Sequence, residues 1–283
     1  MFQDISLFLI CTLYFMIFQD GDIKCELNQK GAYLEELFIA GKSIIRKSPD
    51  GHVTHGGAAV LFPFGNRIRN AVYEYNGIEY KLPENDGGNS IHGLVRDILF
   101  NYISGNNYVE FYTYFRNVSY PGNAEISIRY EIHENEFKTV FTVKSLSGTI
   151  PVEIGFHPYF TVTGKYSIDY SGNAMELQYK DVYFPDGRYI PVNLRKIDLR
   201  TAKLDNAYII DSDISLRDEN HGILIRKENM PYTVIYNGKY AGNNAIAVEP
   251  MTGAPDVYHN GIGLITLQAG EKFHCSYSVS LLE

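Results

Sequence analysis

Hydrophobic and polar residues alternate along most of this chain in short runs. Few stretches repeat apolar residues at helical spacing over the length that a helix needs, whereas strand-like runs recur between Gly, Asn, Asp and Pro residues. The clearest predicted strands are 72–75, 108–115, 126–132, 137–144, 223–226, 233–236, 246–248, 263–267 and 273–281. Turn residues separate them, as at Asn76-Gly77 and Asn237-Gly238. This density of short strands predicts an all-β fold, a large antiparallel β-sandwich.

The pattern shows no linker, low-complexity tract or internal repeat, so we expect residues 23–283 to form a single β-sandwich domain. The segment 1–22 is separate in character, because residues 5–18 are apolar enough for a signal or an anchor. However, no Lys or Arg precedes this run, no small-residue cleavage site follows it, and a membrane span needs roughly 20 residues.

A hairpin accounts for the same segment without export. A strand at 13–18 would turn through Asp20-Gly21 into a second strand at 23–27, and Asp-Gly between apolar runs is a strong hairpin signal. We favour the hairpin. Export stays open as an alternative, and so does an additional start upstream of Cys11.

Charge and composition narrow the class of ligand. The 283 residues carry a formal net charge of -8 that is spread along the chain, whereas nucleic acid and anionic membranes require clustered Lys and Arg. We therefore expect neither partner, and a neutral or cationic small molecule suits the chain better. A hydrophobic content of 45% is enough for a substantial core.

The three cysteines, Cys11, Cys25 and Cys275, are too few and too scattered for a disulfide framework or a zinc site. We interpret them as small buried residues in a reducing compartment, which predicts a cytoplasmic protein. We further expect a monomer or a weak homodimer.

One carboxylate and two histidines stand in stiff local settings. Glu249 lies in Val248-Glu249-Pro250, His157 in Phe156-His157-Pro158, and His92 at the end of a polar glycine-rich loop before Gly93. These are the parts of an acid–base site that moves protons without a metal or cofactor. The alternative is that each histidine is a buried structural residue.

Other candidate groups are less specific. Arg67, after Asn66, could offer a planar fork of donors to vicinal hydroxyl groups, or could be a surface residue at a strand edge. Asp205 could accept hydrogen bonds from hydroxyls, or could begin a turn. His52 and His55 suggest a metal ligand pair, but no further ligand motif accompanies them, so we expect no metal site.

Taken together and in order, these segments resemble the aldose 1-epimerases (mutarotases) of the galactose-mutarotase-like superfamily. The resemblance runs from about Ile23 to the C-terminus. The segments that carry it are Asn66-Arg67-Ile68, the loop Asn89-Ser90-Ile91-His92-Gly93, His157-Pro158-Tyr159-Phe160, Leu204-Asp205 and Val248-Glu249-Pro250. The resemblance implies a β-supersandwich with a sugar cleft on one concave face.

The resemblance also implies roles for the candidate residues. Glu249 would be the general base that takes the proton of the anomeric hydroxyl, and His157 would be the general acid that protonates the ring oxygen. His92 would orient the sugar. The remaining candidates would bind its hydroxyl groups: Asn66, Arg67 and Asp205. General acid–base chemistry agrees, because opening a hemiacetal requires one proton to be removed and another supplied.

We therefore expect an aldose 1-epimerase that interconverts the α and β anomers of a free aldohexose. A hexose-6-phosphate 1-epimerase is an alternative that would need an additional cation at the cleft, for which Arg69 and Arg96 are candidates. A non-catalytic carbohydrate-binding protein of the same fold is a second alternative. The presence of Glu249 with both histidines favours an enzyme, because titratable groups gather at working sites.

Overall fold

The computed structural model describes residues 14–181 and 183–282. Nearly all regular structure within these ranges is β-strand. Helical structure there is limited to α1 (Val257–Asn260) and to 3-10 turns at Arg69–Ala71 and Leu199–Thr201. The strands, in chain order, are β1 (Phe15–Asp20), β2 (Ile23–Asn28), β3 (Tyr33–Ile39), β4 (Lys42–Ile45), β5 (Ala58–Leu61), β6 (Val72–Tyr75), β7 (Ile78–Lys81), β8 (Asn101–Ser104), β9 (Tyr108–Arg116), β10 (Asn123–His133), β11 (Glu136–Ser147), β12 (Ile150–Val152), β13 (Gly155–Thr161), β14 (Ser167–Tyr170), β15 (Ala174–Tyr179), β16 (Pro185–Val192), β17 (Asp205–Ile210), β18 (Ile214–Arg217), β19 (Gly222–Glu228), β20 (Tyr232–Tyr236), β21 (Ala245–Met251), β22 (Ile265–Leu267) and β23 (Lys272–Leu281).

Two large antiparallel sheets contain most of these strands. In the described part of the chain, one sheet has 11 strands in the order β1-β2-β3-β4-β13-β21-β20-β17-β15-β16, with β5 joined to β3 and β13. The other has eight strands in the order β14-β18-β19-β23-β11-β10-β9-β8. The prediction of an all-β fold built from large antiparallel sheets is confirmed.

The main hydrophobic core draws side chains from both sheets. In β10 and β11 buried positions alternate with more exposed ones, and the buried set includes Ile128 and Phe141. From the 11-stranded sheet the same cluster includes Phe156 and Phe160 of β13 and Ile246 of β21. Because successive side chains of a strand point to opposite faces, the residues between these positions lie on the other face of the 11-stranded sheet.

The predicted strands all coincide with observed ones, with differences at their ends. The predicted strand at 263–267 is shorter than expected and begins at Ile265. In the N-terminal hairpin, the first strand reaches Asp20 rather than ending at Phe18, and it pairs along its whole length with β2. Residues 1–13, including Cys11 and most of the apolar run, lie outside the described residues, so their role stays a prediction.

The strand pattern missed β13, which carries one of the candidate histidines. The residues of β13 from Gly155 to Phe160 are buried without alternation, because one face meets the core and the other meets a cleft. Periodicity of two is lost when both faces of a strand are covered. Among the described residues no helix is long and apolar enough to cross a membrane.

Candidate active site

A cleft of about 430 Å³ lies on the face of the 11-stranded sheet opposite the main core. Its lining includes all of the residues that the sequence singled out for catalysis or sugar binding: Asn66, Arg67, His92, His157, Asp205 and Glu249. Residues as far apart in sequence as Asn66 and Glu249 are thus brought together at one place. Their roles stay predictions, but their convergence is a property of the fold.

Strand register places His157 across from Glu249. In the β13–β21 pair, Gly155 is opposite Met251 and Tyr159 is opposite Ala247, so the residues midway between these partners face each other. The imidazole Nε2 of His157 lies 3.6 Å from Oε1 of Glu249. Both side chains are almost completely buried, with 5% and 2% of their residue surface exposed.

Both residues precede a proline within a strand. Pro158 follows His157 and Pro250 follows Glu249, and a residue before proline is held in an extended conformation. This restriction fits the two strands and keeps each backbone from rotating its side chain out of the cleft. The stiff settings read from the sequence therefore correspond to two facing strand positions.

Burial controls the charge of this pair. It raises the pKa of Glu249 well above its usual range; the nearby carboxylate of Asp205 adds to the rise, and the positive charge of Arg67 opposes it. Burial also lowers the pKa of the His157 imidazole to about 3. Both shifts have the same origin, because a charged group loses hydration on burial. Burial therefore favours the uncharged carboxyl–imidazole pair.

His92 approaches His157 from a separate loop. The two ring centroids are 5.1 Å apart and the planes meet at 84°, an edge-to-face arrangement. His92 has a positive φ of 64°, and the side chain of Asn85 forms hydrogen bonds with both the N–H and the C=O of Ile91. These bonds hold the loop that carries His92 in place.

Arg67 is fixed by its neighbours and is not a surface residue. Its Nε donates to Asp86, and its guanidinium lies over the Tyr183 ring at 3.9 Å from the centroid. The side chain of Asn66 accepts a hydrogen bond from the Arg67 N–H at 2.8 Å, which holds the turn that delivers Arg67. The guanidinium is thus positioned as a rigid donor group in the cleft.

Asp205 is the first residue of β17 and lines the same cleft. Asp205 is exposed at the strand end, yet desolvation by the cleft raises its pKa; the positive charge of Arg67 opposes this rise and the carboxylate of Asp86 adds to it. Asp205 therefore begins a strand rather than a turn. Its carboxylate faces a space in which a hydroxyl group could donate to it.

Three further rings line the cleft, and the sequence did not assign them to it. His52, His55 and Tyr240 form a stack, with centroid distances of 4.2 Å and 3.7 Å between successive rings. His55 Nδ1 also lies 2.8 Å from Asp50. No group of three or more His, Cys, Asp or Glu side chains in the described ranges is placed to hold a metal ion. The His-x-x-His spacing thus corresponds to a ring stack at the cleft.

The arginines Arg69 and Arg96 differ in position. Arg69 forms an ion pair of 2.9 Å with the buried Asp256 and stacks on Phe184, so its charge is already matched away from the cleft. Arg96 lines the cleft and forms no ion pair among the described residues. Its pKa is lowered, chiefly by burial, and the nearby carboxylate of Asp97 opposes this fall.

Comparison with known proteins identifies the family. A sequence model of the family described as aldose 1-epimerase matches residues 16–280. The chain belongs to the aldose 1-epimerase family. This is a family of isomerases. One relative, the aldose 1-epimerase of Streptococcus thermophilus, is 26% identical over 257 residues, covering 73% of each chain.

Other relatives extend the family relationship without defining a substrate. YihR, an uncharacterised protein of Escherichia coli K12, is 24% identical over 283 residues, covering 92% of this chain and 90% of its own length. The crystal structure of galactose 1-epimerase from Lactobacillus acidophilus superposes with a TM-score of 0.77 at 20% identity, covering 94% of this chain and 93% of the other. That similarity shows a shared fold.

Proposed function

We propose that this protein interconverts the α and β anomers of a free aldohexose, with Glu249 and His157 as its acid–base pair. The observation that carries the proposal is the cleft in which these two side chains lie 3.6 Å apart, surrounded by groups suited to sugar hydroxyls. Family membership supports the reaction class, and the cleft supports the assignment of residues.

In the proposed reaction Glu249 takes the proton of the anomeric hydroxyl as the C1–O5 bond breaks. The electron pair of that bond goes to O5, which receives a proton from His157. The resulting open-chain aldehyde rotates about C1–C2, and reclosure on its other face reverses both proton transfers. No proton is gained or lost overall, so the pair needs only one proton between its two members.

Sugar binding has to favour the charged form of the pair, because burial by itself favours the uncharged form. Arg67 acts in this direction, since its positive charge lowers the pKa of Glu249. Hydroxyl groups of the sugar would add donors to the carboxylate. His92 would orient the substrate beside His157, and Asn66, Arg67 and Asp205 would hold its hydroxyls.

The test is a mutarotation assay. Freshly dissolved α-glucose and α-galactose are followed by polarimetry with and without the protein, at matched buffer composition. We expect the approach to anomeric equilibrium to be accelerated for at least one sugar. If the protein binds sugar in calorimetry but accelerates no anomerisation, it is a non-catalytic carbohydrate-binding protein and the proposal is wrong.

The position of Arg96 in the cleft supports a second candidate function, the 1-epimerisation of an anionic sugar such as a hexose 6-phosphate. A half-buried guanidinium without an ion pair among the described residues can bind a phosphate. Comparing kcat/KM for glucose and glucose 6-phosphate in the wild type, Arg96→Gln and the control Arg69→Gln separates the candidates. Loss of activity on the phosphate in Arg96→Gln alone would favour the anionic substrate, whereas no preference for the phosphate in the wild type would exclude it.

A further inference from the structure

Glu153 is a buried carboxyl group outside the cleft that the proposed reaction does not use. It lies between β12 and β13, and only 1% of its surface is exposed. Its Oε2 accepts the N–H of Gly65 at 2.8 Å, whereas its Oε1 has no hydrogen-bond partner among the described residues. A buried polar group with one unmatched oxygen requires an explanation.

Segments that carry the cleft residues converge on this side chain. Gly65 directly precedes Asn66 and Arg67, Glu153 itself leads into the strand of His157, and Gly253 follows the strand of Glu249. A Cβ at Gly65 would lie 3.1 Å from Glu153 Oε1, and one at Gly253 would lie 3.1 Å from its Cγ. The backbone adds a further link, because the Glu153 N–H donates to Pro63 O at 3.0 Å.

The surroundings of Glu153 favour its protonated form. Burial raises its pKa to about 8, and the hydrogen bond from Gly65 opposes the rise. The titratable side chains that interact with it are Tyr232 and Tyr258, and within the described residues no cation forms an ion pair with it. Ionisation would thus place an unmatched negative charge in a buried, tightly packed site, which is costly.

We propose that uncharged Glu153 is a positioning residue that holds the turn before Arg67 against the strands of His157 and Glu249. Ionisation of Glu153 would loosen this junction and displace Arg67 from the sugar, so binding would weaken before the chemical step changed. The proposal rests on the proposed function for its kinetic consequence. Its structural premise, a buried uncharged carboxyl, can be examined without a substrate.

The experiment compares Glu153→Gln with Glu153→Leu. Gln keeps a carbonyl that can accept the Gly65 N–H and cannot ionise, whereas Leu fills similar space without accepting. At neutral pH we expect Leu to raise KM roughly threefold to tenfold, the effect of losing one buried hydrogen bond, with kcat almost unchanged. Gln should retain the wild-type KM there. We expect the wild-type KM to rise as the pH passes about 8, and Gln should abolish this rise.

Glu35→Gln is the matched control, because Glu35 is also a buried glutamate but is bonded to Asn28, away from the Gly65 turn. It should reproduce the wild-type pH profile of KM. The same alkaline rise in KM in Glu153→Gln as in the wild type would overturn the proposal. So would an unchanged KM in folded Glu153→Leu; if that variant does not fold, the comparison of Gln with wild type decides.

Infrared difference spectra make the test independent of the sugar assay. The wild type should show a protonated-carboxyl band that titrates near pH 8 and is missing from Glu153→Gln. Absence of this difference overturns the proposal, whatever the kinetics. If the band is present but the wild type accelerates no anomerisation, then the proposed function fails and the kinetic role of Glu153 fails with it.

Discussion

Glu249 and Glu153 are both buried carboxyl groups whose pKa is raised by burial, yet their surroundings differ. Glu249 faces a cleft, with an imidazole 3.6 Å away and Arg67 and Asp205 close enough to affect its charge. Glu153 faces packed glycines and a backbone N–H and is not among the residues that line this cleft. Burial alone therefore does not define an acid–base residue; a partner and space for a substrate are also required.

The same contrast separates two arginines only two positions apart. Arg67 projects into the cleft, where its contacts with Asp86 and Tyr183 hold it rigidly. Arg69 is directed away from the cleft to Asp256 and Phe184. In each pair, the group that lines the cleft would contact sugar. Its counterpart, Glu153 or Arg69, would maintain the structure behind the cleft. Substitutions in matched pairs can therefore test the distinction.

The largest expected effect is at Glu249. Glu249→Gln keeps the shape of the side chain but cannot take a proton, so kcat for mutarotation should fall on the order of 10²–10⁴. Polarimetry measures the loss, and circular dichroism checks that the fold survives. Glu153→Gln at neutral pH is the matched control and should retain near-normal kcat. Equal losses in the two variants would contradict the distinction between the carboxyls.

The histidines should differ in kinetic signature. His157→Ala removes the proton that O5 receives as the bond breaks, so kcat should fall about 10²-fold or more with little change in KM. His92→Ala removes a contact present before and during the reaction, so KM should rise and kcat should fall less. Reversed signatures would exchange the roles, and normal kinetics in both variants would remove the basis of the proposed mechanism.

The free energy of unfolding of wild type and of Glu153→Gln should depend differently on pH. The pKa of this group is about 8 in the folded protein and about 4.5 when unfolded, so the folded state holds the proton longer. Its contribution to the free energy of unfolding is therefore greatest below pH 4.5 and is lost as the pH rises through 8. Glu153→Gln should gain stability relative to wild type over this range, on the order of a few kcal/mol. Urea unfolding at several pH values measures it, and a constant difference would be evidence against the titration.

A smaller effect is expected for the arginines. Arg67→Lys keeps the charge but loses the planar fork and the stacking on Tyr183, so KM should rise about tenfold, the lower end of the effect of one hydrogen bond to a charged group. Arg69→Lys should leave KM unchanged, although it can lower stability through Asp256. Initial-rate kinetics on the two variants decide. A larger change in KM at Arg69 would reverse the assignment.

The smallest expected effect is that of metal removal. Acid–base transfer between Glu249 and His157 needs no metal, so activity should persist after exhaustive chelation. The assay compares initial rates before and after treatment with chelator. If chelation abolished activity and zinc restored it, the result would instead indicate a functional metal site, with His52 and His55 as candidate ligands.

Many strands were predictable because buried and more exposed side chains alternate along them. The strands β10 and β11 show this directly, since one face meets the core and the other is more exposed. The strand of His157 escaped prediction because both of its faces are covered, which removes the alternation. The site residues were recognisable from their proline and glycine neighbours and from the order of the motifs, which indicated the family.

The sequence by itself determined the all-β class, the family and a short set of candidate groups, because local alternation and motif order are written in consecutive residues. Only the tertiary structure decided which groups meet. The register of β13 against β21 places His157 across from Glu249. The turn at Gly65 directs Arg67 into the cleft, whereas Arg69 forms an ion pair with Asp256. Separations between distant residues depend on strand pairing and packing, and so does burial, which sets the pKa of Glu249 and of Glu153.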